Sequence, residues 1–400
     1  MPAYRAVPPK SKETQGSQLR FLIFLRFDAM LPEPSFPANP ADFIGRAREI
    51  ESFKAALHQS LITKRMPSFA ALGNWGIGKS SLLFKLAACC CALDPPMLPV
   101  HLSISQDIGD YLRFAESLSD KLADALAASD SLTAKLRAEA RNWKFKQFRA
   151  GPITAEREAP RRFLTSGSAL LRHRLAEAWR HFIRPAQLAG GVFFLDDLQN
   201  LALTSGDTAL IIRDQFQAFA IEGMNFSVCF SAKPEYFSGV HSFAEPAVRF
   251  YSKLVLAPFT FGETSEYTRA VFEQKANLQS LAQWLYEKTL GHPYFLAFIC
   301  RELVASGGST SPSQLWPEIS ARLEREKFQS DLVQLSEKDI ALLRTLAVTG
   351  QDEFSPTPFA KQFQHEYFGR LTDRGLLIRA GRGRYKLYHP LFSEFLRQTQ

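Results

Sequence analysis

Residues 73–80 read Gly73-Asn74-Trp75-Gly76-Ile77-Gly78-Lys79-Ser80, a complete match to the pattern G-x-x-x-x-G-K-[ST]. An apolar, strand-like run, 68–72, leads into it, and a helix-compatible segment, 81–87, comes after it. The pattern has meaning only between a strand and a helix, so it commits this part of the chain to an α/β fold. Its glycines let successive N–H groups turn inward around a phosphate, and the helix that starts there adds the partial positive charge of its N-terminus. Lys79 brings a mobile point charge to the β- and γ-phosphates, and the Ser80 hydroxyl completes a Mg²⁺ shell. With Ser81 beside them, these residues predict a nucleoside triphosphate site.

Further strands are predicted at 97–104, 191–195, 226–230 and 254–256, with helical stretches between them. Strands alternating with helices imply a parallel sheet wrapped by helices, with the ligand at the carboxyl ends of the strands. The polar residues fall at those ends. Asp196 follows four apolar residues and is placed to hold Mg²⁺ through its water shell. Asp197 can orient an attacking water or cap the next helix, and the two roles do not exclude each other. Ser231 and Lys233 end the next strand, where Lys233 is either a γ-phosphate sensor or a loop lysine. Arg249 precedes the last strand, as an arginine finger toward a neighbouring subunit's nucleotide or as a surface arginine.

A length of 400 residues implies two or three domains, and 46% hydrophobic with 22% charged residues describes a globular chain. The net charge of +8 fits a polyanionic partner without proving one. Cysteines 89, 90, 91, 229 and 300 contain no C-x-x-C pair, so no zinc or disulfide framework is readable and a reducing cytoplasm is expected. The apolar burst 19–27 is too short to span a bilayer and is interrupted by arginines, so no membrane partner is expected. Prolines 32, 34, 37 and 40 separate a flexible N-terminal arm, 1–38, from the P-loop region, and either Met1 or Met30 can be the true start. Residues 132–186 are helical and basic, including Lys135, Arg137, Arg141, Arg172, Arg174, Arg180 and Arg184. They read as a grip for nucleic acid or a partner protein, or as a solvated helical face.

Near the C-terminus, Ser336-Glu337-Lys338-Asp339 is a helix start with a capping pattern. Helices are predicted at 357–363 and 366–374. Strands 375–379 and 384–388 then form a hairpin around Gly381-Arg382-Gly383, and a last helix closes the chain.

Phe43-Ile44-Gly45-Arg46 with Glu49 resembles the F-[IV]-G-R-x-x-E box of AAA+-type and STAND-type signalling ATPases, where the box lies against adenine. The run 192–199 resembles their Walker B motif, with a paired aspartate. Gly291-His292-Pro293 resembles the G-x-P motif of their helical lid, whose Pro293 equivalent packs near the base. The C-terminal pattern resembles a winged helix-turn-helix. This resemblance implies a P-loop parallel sheet at 39–260 that carries the basic helical insertion, a helical lid at 261–330 and a winged helix at 335–400. It also implies ATP or ADP with Mg²⁺, nucleotide-controlled lid movement and homo-oligomerisation. Lysine at 233 replaces the usual arginine, and no Walker B glutamate is present, so slow, switch-like hydrolysis is expected. Two readings stay open. In one, Arg370, Arg374, Arg382, Arg384 and Lys386 bind double-stranded DNA through the third helix and wing. In the other, the winged helix only packs against the lid and the protein is a scaffold recruiting a separate effector.

Overall fold

A computed structural model of the chain describes residues 30–105, 108–146, 160–201, 205–237, 245–273, 277–307 and 311–398. The apolar 19–27 segment and residues 147–159 of the basic stretch lie outside them. The first part runs α1 (Ala47–Thr63), β1 (Ser68–Leu72), α2 (Lys79–Cys91), β2 (Met97–Ser103), α3 (Tyr111–Ala128), α4 (Ala134–Lys146), α5 (Pro160–Ala178), β3 (Gly190–Asp196), α6 (Ser205–Ile221), β4 (Phe226–Ala232), α7 (Glu245–Phe250) and β5 (Tyr251–Val255). The five strands form one parallel sheet in the order β2-β3-β4-β1-β5.

Burial explains the strand composition. β1 and β4 are buried along their whole length, as expected for parallel strands covered on both faces. Alternate residues feed two cores. Ala70, Leu72, Phe193, Leu195, Val228 and Phe230 face α3, α5 and α6, whereas Phe69, Ala71, Val192, Phe194 and Cys229 face α1 and α2. The basic stretch is built into the first core, because Leu132, Ala140, Leu171, Leu175 and Phe182 are buried there. Three of its cations also have internal partners: Arg137 with Asp130, Arg172 with Glu222, and Arg174 with Glu177 and the Trp143 ring. β5 starts three residues earlier than predicted, since this edge strand exposes Ser252 and Lys253 and so lacks an apolar signature.

The second part runs α8 (Phe261–Phe272), α9 (Leu278–Thr289), α10 (Pro293–Ala305) and α11 (Pro312–Leu323), a π turn at Glu324–Phe328, then α12 (Gln329–Val333) and α13 (Glu337–Val348). It ends with α14 (His365–Asp373), the antiparallel pair β6 (Leu377–Gly381) and β7 (Arg384–Leu387), and α15 (Pro390–Gln398). Capping boxes start α8, α11 and α13, the last at Ser336 and Asp339 as the sequence predicts. Phe354 adds a single antiparallel bridge to Tyr385. The predicted helix 357–363 is only a 3₁₀ turn, Thr357–Phe359. The lid and the C-terminal elements share one core, in which Phe328 lies 6.1 Å from Phe295 and 5.5 Å from Phe392 between ring centres.

Candidate nucleotide-binding site

The strand order sets the site. β4 lies between β1 and β3, so its end, Ser231-Ala232-Lys233, stands between the loop 73–80 and the aspartates 196 and 197. The Gly73 N–H donates to the Ala232 carbonyl (3.1 Å), fixing where the loop leaves β1. Gly76 and Gly78 take φ values of +69° and +93°, which the loop's inward turn requires. The Lys79 ammonium donates to the Asn74 carbonyl (3.0 Å) across the loop. Burial pulls Lys79 below its ordinary pKa, Asp197 and Asp196 oppose that, and nearby Lys233 adds to it.

A cavity of about 600 Å³ opens over this loop. Phe43, Arg46, Trp75, Gly76, Ile77, Gly78, Lys79, Ser80, Ser81, Asp197 and Pro293, all predicted from sequence, line it. Of the remaining predicted contacts, Gly45 packs against Glu263, Gly73 against Ile77, and Asn74 serves Lys79 through its carbonyl. The arm enters the site too. Residues 30–39 line the cavity, and the Ala38 N–H donates to the Ser81 hydroxyl (3.0 Å).

Arg46 is a structural anchor. It is buried, sits in the left-handed region at φ +60°, donates to the Ile77 carbonyl (3.0 Å) and stacks 5.0 Å from the Phe259 ring centre. Its own N–H donates to Glu263 (2.9 Å), which also accepts the Thr260 N–H (2.8 Å) in the capping box of α8. Burial raises the Glu263 carboxyl, but these bonds prevail and hold it below the usual carboxylate range. One carboxylate thus joins the 43–46 box to the lid.

The lid also touches the loop directly. The Tyr294 N–H donates to the Gly76 carbonyl (3.2 Å), and a Cβ on Gly76 would fall 2.9 Å from both His292 and Tyr294. Trp75 lies 4.4 Å from the Tyr294 ring, with the Lys327 ammonium 3.7 Å from the indole centre. Lys327 pairs with Asp331, which accepts the Tyr388 hydroxyl (2.9 Å). Burial drives His292 and His389, whose rings are 5.7 Å apart, down to about 3 and about 4.

At the metal side, Asp196 accepts a hydrogen bond from Ser231, and Ser231 accepts the Asp197 N–H (2.8 Å). No cluster of three His, Cys, Asp or Glu side chains exists among the described residues, so a metal here would rest on few protein ligands. Ser80 and Asp196 are hard oxygen donors that fit Mg²⁺ shared with phosphates and water. Lys233 donates to the Asp373 carbonyl at the end of α14. Arg249 is exposed beside the amino end of β5, at the end of the sheet opposite the loop, and is not brought to its own site.

The predicted DNA contacts divide. Arg370 is held by Asp339 through three bonds of 2.6–3.2 Å, and Arg374 donates to the Gln334 carbonyl (2.7 Å), so these two are committed to packing. Arg382, Arg384 and Lys386 are exposed on the β6–β7 hairpin, with Glu353 3.4 Å from Arg384. Glu263, Lys327 and the Ser231 contacts were not singled out from sequence. The T-x-x-E pattern at Thr260 is the one signal that could have flagged Glu263, and it points to a helix start, not to a bridge.

No family model and no curated protein matches the sequence. Among solved structures, the Walker-type ATPase paby2304 of Pyrococcus abyssi superposes with a TM-score of 0.58 at 14% identity, over 92% of this chain and 100% of that one. The Orc2 protein of Aeropyrum pernix, solved as ADPNP–ADP complexes, gives 0.52 at 14% identity over 89% and 94%. The Orc1 protein of the same organism, in complex with DNA, gives 0.50 at 13% identity over 94% and 98%. The order of the sheet, the loop 73–80 and these superpositions agree: the chain has the fold of an AAA+-type P-loop ATPase.

Proposed function

We propose that this protein is an ATP-binding, slowly hydrolysing switch whose nucleotide site controls the position of its lid and C-terminal domain. The observation that carries the reading is the joint wall of the cavity: the phosphate loop is bonded to the first turn of α10 through Gly76 and Tyr294. Loop N–H groups and Lys79 would bind phosphates, Ser80 and Asp196 would hold Mg²⁺, and Asp197, which lines the cavity, would orient water. When bound, Mg²⁺ neutralises phosphate charge. Lys233 supports the gating: it cannot serve the Asp373 carbonyl and a γ-phosphate at once, so ATP competes with the C-terminal domain for this ammonium. Arg249, exposed away from its own loop, would serve a neighbour's nucleotide in a homo-oligomer.

The C-terminal elements read as a winged helix whose wing residues Arg382, Arg384 and Lys386 engage duplex phosphates. The internal commitments of Arg370 and Arg374 favour the second reading, a packing domain on a scaffold that recruits a protein effector. Size-exclusion light scattering on wild type and Lys79→Ala, with ADP or a non-hydrolysable ATP analogue and with or without duplex DNA, separates them. Assembly on DNA that needs both the analogue and Lys79 supports the DNA-acting switch. Nucleotide-dependent assembly indifferent to DNA supports the scaffold, and no response to nucleotide rejects both.

A further inference from the structure

We infer that Lys327 and Trp75 form a cation–π latch between the C-terminal elements and the phosphate loop, and that this latch biases the site toward ADP over ATP. The inference rests on the reading of this protein as a nucleotide-gated switch. Phosphates are cradled by main-chain N–H groups, so phosphate binding gives no reason for an indole at position 75. Trp75 is nevertheless 45% exposed and lines two cavities. One is the nucleotide cavity, and the other, of about 540 Å³, lies between the loop and Tyr388, His389 and α15. The indole therefore stands on the boundary between nucleotide and C-terminal domain.

Lys327 meets the indole from the far side. Its ammonium, 3.7 Å from the indole centre, makes the shortest cation–ring contact among the described residues. It comes from the π turn Glu324–Phe328, a helical irregularity of the kind that recurs at functional sites. The side chains of Lys327 and its ion-pair partner Asp331 are each only 14% exposed. The Tyr388 hydroxyl donates to Asp331 (2.9 Å), and the Tyr388 N–H donates to the Leu376 carbonyl (3.2 Å) just before β6. Asp331 and Tyr388 are thus positioning residues that hold the ammonium on the indole and tie it to the hairpin. A largely desolvated cation over a tryptophan face is the strong form of this interaction.

Two lysines then grip the same boundary from opposite sides. Lys233 reaches from the end of β4 to Asp373, and Lys327 reaches from the π turn to the loop. When a γ-phosphate draws Lys233 from Asp373, movement of the C-terminal domain must also lift Lys327 off Trp75. Whatever holds that pair together opposes the ATP state and leaves the ADP state alone.

Lys327→Met removes the charge and nearly keeps the chain length, whereas Lys327→Arg keeps a cation that stacks on an indole. Calorimetric titration gives the affinities for ADP and for a non-hydrolysable ATP analogue, both with Mg²⁺. The emission of Trp75 is the difference between each protein and its Trp75→Leu counterpart. In Lys327→Met the analogue should bind on the order of tenfold tighter, with ADP affinity within about threefold of wild type. Mere loosening of the fold would weaken both ligands instead. In wild type the analogue, and not ADP, should change the Trp75 emission, and Lys327→Met should resemble the analogue-bound form from the start. Lys327→Arg should restore both the preference for ADP and the emission change. Trp75→Leu cuts the same pair from the loop side and should shift the ratio of the two affinities in the same direction; it decides alone if Lys327→Met does not fold. A wild-type ratio in both variants would overturn the latch, as would failure of arginine to rescue at an unchanged melting temperature. The switch reading survives that result if the analogue still alters hydrogen exchange in 385–398 of wild type. If wild type binds both nucleotides with no such difference, or binds neither, the switch reading fails and the latch falls with it.

Discussion

Gly291 sits where the lid meets the core, at φ +72°, with its carbonyl accepting the Phe259 N–H (2.8 Å). A Cβ there would fall 1.9 Å from the Phe259 carbonyl oxygen and 2.9 Å from its carbon. Gly383, on the hairpin, has nearly the same φ, +68°, but open space around it. Alanine at either place bears the left-handed penalty of about 1–2 kcal/mol. Only Gly291→Ala must also move backbone by roughly 1 Å, which adds about 1–3 kcal/mol of overpacking. Gly291→Ala should therefore lose about 2–5 kcal/mol and Gly383→Ala about 1–2 kcal/mol. Phe259 stacks on Arg46 and lines the cavity, so Gly291→Ala should also weaken ADP binding on the order of tenfold or more, and Gly383→Ala should not. Urea unfolding followed by circular dichroism, with binding of a fluorescent ADP, reads both effects. Equal destabilisation of the two variants with equal ADP affinity would refute the tight seat of the lid on Phe259.

Lys79→Ala should abolish measurable ATP-analogue binding while leaving the circular dichroism spectrum unchanged; retained affinity would move the site elsewhere. If the wing binds duplex DNA, joint Arg382→Gln and Arg384→Gln should lower the slope of log affinity against log salt by about two. Arg370→Gln, by contrast, should destabilise the C-terminal domain without altering that slope, and the reverse pattern would show that Asp339 does not retain Arg370. Buried His292 and His389 titrate at about 3 and about 4 when folded, against 6.5 for an ordinary histidine. Protonation then favours the unfolded chain, so their stabilisation is complete above about pH 6.5 and is lost as pH falls toward about 4. Unfolding at about pH 5 rather than about 7.5 should show a loss of up to about 2 kcal/mol per ring, and a flat profile would place these imidazoles in contact with water.

What the sequence made legible was local and periodic. The loop 73–80, the strands predicted at 68–72 and 191–195, the cap at Ser336 and the hairpin around 381–383 all carry short-range signatures, and all are present. What it hid depended on strand order and on partners far along the chain. Ser231 is legible as a polar strand end, but its bonds to Asp196 and Asp197 appear only once β4 is seen between β1 and β3. Glu263 meets Arg46 217 positions away, and Arg370 reads as a DNA contact until Asp339 is found beneath it. The start of the edge strand β5 escaped because its exposed polar residues erase the apolar run that marks its buried neighbours.

Hydrogen exchange in the presence of Mg²⁺ with ADP, and then with a non-hydrolysable ATP analogue, tests the switch most directly. Both nucleotides should protect amides 73–81. Only the analogue should speed exchange in 365–376 and 385–398, as Lys233 leaves the Asp373 carbonyl for the γ-phosphate. Protection of the loop with identical exchange in the C-terminal segments under both nucleotides would contradict the coupling, and no protection of the loop would contradict the site itself.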